Sequence, residues 1–126
     1  MQLAATVLHM PLFRRKKATV GADDHAVLTH LPLSDDEFGT AEEREAVRHL
    51  EKRIERAVAK LGGEHDGNEF GGGEVMLYTY GPDADQLLDA IRKCLTGYDA
   101  LPGAYAVKRY GRADDPGARE ERVTLS

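Results

Sequence analysis

The stretch from residue 62 to residue 95 constrains the fold more than any other part of this chain. It reads GGEHDGNEFGGGEVMLYTYGPDADQLLDAIRKCL. The glycines at 71–73 separate two segments of strand character, and residues 74–80 alternate two sets of side chains that suit a sheet. Within the first segment, Asp66-Gly67 predicts a β-bulge or a tight turn. The block therefore predicts a strand pair that leads directly into a helix.

That helix has a recognisable start and an apolar stripe. Pro82 suits the first helical position, and the two aspartates that follow it complement the positive end of a helix. The residues predicted to face the core are Leu87, Leu88, Ile91, Cys94 and Leu95. The only cysteine of the chain is therefore interpreted as a packing residue, and its lack of a partner favours a reducing, cytoplasmic location.

A longer helix precedes the block. Thr40 and Glu43 form the pattern of a capping box, and Gly62-Gly63 supplies a stop. The predicted core positions of this helix are Val47, Leu50, Ile54, Val58 and Leu61.

The remaining elements complete an α+β arrangement. Strands are predicted over 25–33 and 104–110, with a short edge strand over 122–126. The order strand, helix, strand, strand, helix, strand predicts a ferredoxin-like βαββαβ fold, in which two helices cover one face of an antiparallel sheet. Residues 25–126 are interpreted as one domain, with possible extra edge strands at both termini.

Residues 1–24 are predicted to form an arm or tail. The apolar run MQLAATVLHMPLF is followed, and not preceded, by Arg14-Arg15-Lys16-Lys17, which is the reverse of a secretory signal. The run is also too short to cross a bilayer. Translation could start at Met1 or at Met10, and residues 3–9 could pair with the sheet as an extra strand.

The charge distribution counts against nucleic acid as a partner. The chain has 17 basic and 22 acidic residues, and four of the basic ones lie at positions 14–17. The rest of the chain is therefore distinctly acidic and would repel a phosphate backbone. Residues 78, 80 and 110 leave an alternative open, because tyrosines on neighbouring strands stack bases in RNA-recognition modules. The sequence GGGEVMLYTY lacks the basic start of the corresponding motif, however.

One candidate site of catalytic character lies in the block. His65, Asp66, Glu69 and Glu74 could form a hydrolytic or small-molecule site, with the histidine as a base. No nucleophile accompanies them, and the ligand spacing of a metal site is absent. The glycines at 71–73 precede a strand and are followed by Glu74, so they do not form a phosphate loop. No metal or cofactor is expected, and enzymatic activity is not favoured.

Two surfaces are candidates for binding a protein. Basic residues recur every four positions on the first helix and form what we call the basic ridge: Arg44, Arg48, Lys52, Arg56 and Lys60. The ridge could bind an acidic partner, or it could be an ordinary solvated helix face. The second surface is the sheet face opposite the helices, with Met76, Tyr78 and Tyr80, where a second copy or another protein could dock.

Residues 62–95 also resemble a recurrent block in small uncharacterised bacterial proteins. There a DG turn, a glycine run, a tyrosine-bearing strand and GPDAD occur together, following roughly the pattern DGxExGGGEVxLYxYGPDAD. The resemblance extends over residues 40–111, and it implies a bacterial protein of ferredoxin-like appearance and no particular activity. The sequence as a whole predicts a non-catalytic interaction or regulatory module, of the immunity or antitoxin kind for example, that binds a protein partner or forms a homodimer.

Overall fold

The computed structural model of the protein describes residues 24–112 and 115–125. In chain order the elements are β1 (His25–Pro32), α1 (Ala41–Ala59), β2 (Glu64–Gly71), β3 (Glu74–Gly81), α2 (Ala84–Leu95), β4 (Tyr105–Arg109) and β5 (Glu120–Thr124). The strands form one sheet in the order β2-β3-β1-β4-β5, and every neighbouring pair is antiparallel. The predicted α+β class is confirmed.

The termini differ from the sequence prediction in extent. The last strand, β5, begins at Glu120, two residues earlier than predicted, and it pairs with β4 along its whole length. The predicted arm, except for Asp24, and the proposed pairing of residues 3–9 lie outside the described residues.

The hairpin of β2 and β3 is built from the features that the sequence singles out. Gly72 and Gly73 have φ angles of 63° and 84°. A tight hairpin turn with two left-handed central residues requires such angles, and glycine adopts them without strain. The pairing register shifts between His65 and Gly67, so Asp66 is an extra residue on β2. Because of this bulge, His65 and Asn68 lie on the same face of the sheet although they are three residues apart.

Both helices pack against one face of the sheet and form the main core with it. The buried residues of α1 are Val47, Leu50, Ile54 and Val58, and those of α2 are Ala84, Leu87, Leu88, Ile91 and Cys94. They meet Val27 and Leu31 of β1 and Val75 and Leu77 of β3. Burial of each large aliphatic side chain contributes roughly 1.5–3 kcal/mol.

The opposite sheet face carries a second, smaller cluster. Ala26, Leu28, Tyr78 and Tyr80 are buried there, with Met76 and Val107 packed against them. Strands β1 and β3 therefore bury side chains on both faces of the sheet. The large side chains at both alternating sets of positions in β3 predict this.

The helix starts correct one prediction and confirm another. At α1, Thr40 and Glu43 form the predicted capping box. At α2, the side chain of Asp83 is the N-cap and accepts the amides of Asp85 and Gln86. Pro82 therefore precedes the helix and does not occupy its first position, because the Asp83 cap places that position at Ala84, two residues later.

Two glycines allow the turns before β2 and after β3 to touch. A Cβ on Gly81 would lie 3.1 Å from the Cα of Gly63 and 3.0 Å from Leu87 Cδ2. A Cβ on Gly63 would lie 2.8 Å from the carbonyl oxygen of Tyr80. The end of α1 and the start of α2 are held together at this contact.

Candidate functional site

A groove of about 710 Å³ lies between α1 and α2. Its residues are Arg53, Ala57, Lys60, Leu61, Gln86, Asp89, Ala90, Lys93, Cys94, Thr96 and Gly97. On each helix they recur at three- and four-residue spacing, so two stripes face each other. Ala57 and Ala90 occupy the middle of these stripes, and their small side chains leave the space open. We call this concavity the inter-helix groove.

The end of the inter-helix groove near Cys94 is fixed by an arginine. Arg53 Nη2 donates to the carbonyl oxygen of Cys94 at 3.2 Å and so binds a terminal carbonyl of α2. Gly97 makes room for this guanidinium, since a Cβ there would lie 3.3 Å from Nη2. Burial raises the pKa of the Cys94 thiol, although Arg53 and Arg56 oppose the shift. This cysteine is therefore a packing residue, which is the role that its place on the apolar stripe predicts.

A second concavity, of about 440 Å³, lies between α1 and β2. It is lined by Ala41, Arg44, Glu45, Arg48, Glu51, Asn68 and Phe70. We call it the Glu51 cavity. Two arginines and two glutamates give it charges of both signs, whereas cations predominate in the inter-helix groove.

The carboxylate of Glu51 is held by two side chains of β2. Its Oε1 lies 2.6 Å from His65 Nε2, and its Oε2 accepts a hydrogen bond from the Asn68 amide. The other ring nitrogen of His65 lies 3.3 Å from the Thr79 hydroxyl. The side chains of His65 and Glu51 are only 5% and 14% exposed. Glu51 is thus a fixed acceptor at the wall of the cavity, and His65 orients it from behind.

The arginines of the Glu51 cavity are not equivalent. Arg48 donates to Glu45, whose other carboxylate oxygen lies 3.1 Å from His49, and the bond with Arg48 lowers the pKa of Glu45. Arg44 donates to the carbonyl oxygens of Gly39 and Phe38 at 2.7 and 3.4 Å. Within the described part of the chain Arg44 has no ion pair. No carboxylate of residues 24–112 or 115–125 therefore neutralises its positive charge.

The residues of the predicted hydrolytic site do not converge. His65 faces α1, as described above, while Asp66 is the bulged residue. Glu69 and Glu74 lie on the opposite sheet face, where Glu69 accepts the Tyr78 hydroxyl at 2.9 Å and Glu74 lies 3.2 Å from His30. The alternation of side chains along a strand, interrupted by the bulge, separates them. The described side chains around the Glu51 cavity include no serine, threonine, cysteine or lysine, so its lining offers no hydroxyl, thiol or amine nucleophile.

The basic ridge is divided between the two concavities. Arg44 and Arg48 line the Glu51 cavity, and Lys60 lines the inter-helix groove. Lys52 and Arg56 are exposed and line neither. Positions four apart advance by more than one helical turn, so the ridge winds around α1 from one concavity to the other.

The tyrosines of the predicted docking surface on the sheet are buried and not exposed. Tyr78 and Tyr80 are 0% and 1% exposed, and Met76 beside them is half-buried. Tyr110 belongs to the helix side of the sheet, where its hydroxyl donates to Asp85 at 2.7 Å. The three tyrosines therefore do not form one aromatic platform of the kind that stacks bases.

A polar cluster that the sequence analysis does not predict joins α2 to β4. Lys108 Nζ lies 2.8 Å from Asp85 Oδ1, and this bond together with the Tyr110 hydroxyl raises the pKa of the lysine and lowers that of the aspartate. Next to it, His25 Nδ1 accepts the backbone amide of Ala84 at 3.0 Å. The lysine is held in its charged form, so the cluster fixes the helix start and provides no free base.

Comparisons with known proteins find no matching family, no similar curated protein and no similar solved structure. Among the described residues no group of three or more histidine, cysteine or acidic side chains is placed to hold a metal ion. Neither described helix is long and apolar enough to cross a membrane.

Proposed function

We propose that the protein is a non-catalytic interaction module whose inter-helix groove binds an acidic amphipathic helix of a partner protein. The observation that carries this proposal is the composition of the groove. Arg53, Lys60 and Lys93 surround it against the single acid Asp89, and its floor is apolar. Amphipathic helices bind to such grooves through apolar anchors at i, i+3 or i+4.

The groove is large enough for a few anchoring side chains of a partner helix but not for the whole helix. A volume of about 710 Å³ accommodates two or three large side chains above Ala57 and Ala90. Lys60 and Lys93 are exposed, so they can reach acidic residues that flank those anchors. Charged residues at the rim of an interface mainly accelerate association and select the partner, and the buried anchors supply most of the affinity.

The finer fold assignment belongs to the same proposal. Elements β1 to β4 follow the order βαββαβ with both helices. Strand β3 lies between β1 and β2, while β1 lies between β3 and β4. This interleaving supports a ferredoxin-like unit to which β5 adds an edge strand.

The test is a titration of ¹⁵N-labelled protein with a synthetic helical peptide that carries leucines on one face and glutamates beside them. We expect the largest amide shifts at Ala57, Leu61 and Ala90. Ala57→Leu, which fills the groove, and the double reversal Lys60→Glu with Lys93→Glu should each weaken binding by about tenfold or more. Lys52→Glu is the matched control, because Lys52 lies on the same helix and lines no part of the groove.

Two results would overturn the proposal. The first is an absence of amide shifts at the groove with millimolar peptide. The second is an equal loss of affinity in Lys52→Glu, since that would mean general attraction between the peptide and α1 and no specific docking.

A further inference from the structure

We infer that the protein binds a second copy of itself, with the loop between β1 and α1 of one copy docked in the inter-helix groove of the other. This loop, residues 34–39, reads SDDEFG, and we call it the acidic loop. The inference rests on the proposed function, because it uses the same groove and the same ligand chemistry of an apolar anchor beside acidic residues. It adds the identity of one partner.

The acidic loop presents a large apolar side chain to solvent. Phe38 is 56% exposed, more than any other large hydrophobic side chain among the described residues. Asp35, Asp36 and Glu37 precede it in the chain and are exposed as well. Aromatic side chains are enriched in the buried centre of protein interfaces. The loop therefore carries one apolar anchor next to three negative charges.

The backbone of the acidic loop is fixed before a partner binds. Asp35 Oδ1 accepts hydrogen bonds from the amides of Glu37 and Gly39 at 3.0 and 2.8 Å. The carbonyl oxygen of Glu37 accepts a third, at 3.0 Å, from the Gly73 amide in the turn between β2 and β3. A fixed loop loses little conformational freedom on binding, so Phe38 can dock at a low entropic cost.

The acidic loop cannot reach the groove of its own chain. The loop ends next to Thr40, the N-cap of α1, and the first groove residue on that helix is Arg53, 13 positions later. This separation corresponds to about 20 Å along the helix axis. Because the loop backbone is bonded to Gly73, Phe38 cannot swing through such a distance. A contact between loop and groove therefore joins two molecules.

The acidic loop and the inter-helix groove carry opposite charges. The groove is lined by one acid, Asp89, and by three cations: Arg53, Lys60 and Lys93. Pairing two grooves or two loops would bring like charges together, which is unfavourable, whereas loop and groove attract each other. The groove volume of about 710 Å³ also has room for the ring of Phe38. The complementary pairing is therefore the one between the loop of one copy and the groove of another.

The first experiment is sedimentation velocity of the full chain over a range of concentrations. Since different surfaces meet, each bound copy still offers one loop and one groove, and association should continue beyond the dimer. Phe38→Ala and Ala57→Leu should each weaken self-association by about tenfold or more. Leu101→Ala is the matched control, because Leu101 is 37% exposed but lies outside both surfaces. It should change self-association by less than about twofold.

The second experiment mixes the two weakened variants. Phe38→Ala keeps an intact groove and Ala57→Leu keeps an intact acidic loop, so one productive contact remains between them. We expect the equimolar mixture to form a dimer with one copy of each variant and nothing larger. Circular dichroism verifies the fold, and if Ala57→Leu does not fold, Lys60→Glu with Lys93→Glu replaces it. A native chain that is monomeric at millimolar concentration, or a mixture of folded variants that forms no dimer, would overturn the inference.

The synthetic helical peptide described above separates this inference from the proposed function. Excess peptide should dissociate the assembly of native chains, because loop and peptide compete for one groove. Amide shifts at the groove in a chain that does not self-associate would contradict the inference and leave the proposed function standing. Self-association that depends on Phe38 and Ala57, without peptide binding, would support the inference and contradict the helical partner.

Discussion

The two concavities on either side of α1 differ in how their polar groups are held. In the Glu51 cavity, a carboxylate is fixed by two strand residues and is mostly shielded from solvent. In the inter-helix groove, Lys60 and Lys93 are exposed around a floor of small apolar residues. Ordered polar groups recognise a ligand of defined shape, whereas long flexible cations tolerate a variable protein surface. One helix therefore borders a concavity whose carboxylate is held by hydrogen bonds and another whose lysines are exposed.

The largest expected difference between the two concavities is in the free energy of unfolding when one polar group is removed from each. Glu51→Ala should lower the free energy of unfolding by about 2 kcal/mol, because His65 and the Asn68 amide lose their acceptor. Lys60→Ala should change it by less than about 0.5 kcal/mol, as surface substitutions usually do. Urea unfolding followed by circular dichroism measures both. Equal effects would mean that the Glu51 carboxylate is no more fixed than a surface lysine.

A smaller effect is expected at the helix ends beside each concavity. Thr40→Ala removes the N-cap of α1, one residue before Ala41 of the Glu51 cavity, and should cost about 1 kcal/mol. Thr96→Ala, beside the inter-helix groove, removes only a hydroxyl bond to the carbonyl oxygen of Lys93 and should cost less than half as much. Thermal unfolding of the two variants against the native chain tests this ranking. A larger cost at Thr96 would reverse it.

The smallest predicted effect is a pH dependence at the cavity end of α1. The Thr40 amide, together with Ser34, holds the pKa of Glu43 below its usual value of 4.5. A lowered pKa stabilises the fold above pH 4.5, and this stabilisation is lost as the pH falls through the folded value. Glu43→Gln should therefore lose roughly a few tenths of a kcal/mol at neutral pH, and the gap should close in acid.

The control for this pH dependence is Glu42→Gln in the same helical turn. Unfolding by urea at pH values from neutral to acid compares the two variants with the native chain. A gap for Glu43→Gln that is constant across this range would contradict the assigned cause of the pKa shift.

Local features of the fold could be predicted because each depends on residues close in sequence. The capping box needs only Thr40 and Glu43, and the glycine turn needs only Gly72 and Gly73. The class of the fold then follows from the order of the elements. The position of Pro82 was missed because two possible helix starts, with Pro82 at the first helical position or with Asp83 as the N-cap, lie only two residues apart.

The Glu51 cavity could not be predicted in full because its contacts join distant parts of the chain. Glu51 and His65 are 14 residues apart and belong to different elements. One signal was present, however. The Asp66-Gly67 bulge is visible in the sequence, and it implies that His65 and Asn68 turn to the same side of the sheet. Which helix residue meets them depends on how α1 lies across the strands, and no local pattern encodes that position.

The contact between Gly63 and Gly81 has a consequence for how this protein can change over time. Neither glycine lines the inter-helix groove, yet together with Leu87 they set how closely α2 approaches the end of α1. A single added methyl group at either position would act as a spacer and alter the width of the groove from outside it. Substitutions at Gly63 or Gly81 could therefore change the binding preference of the groove while every residue that lines it stays the same.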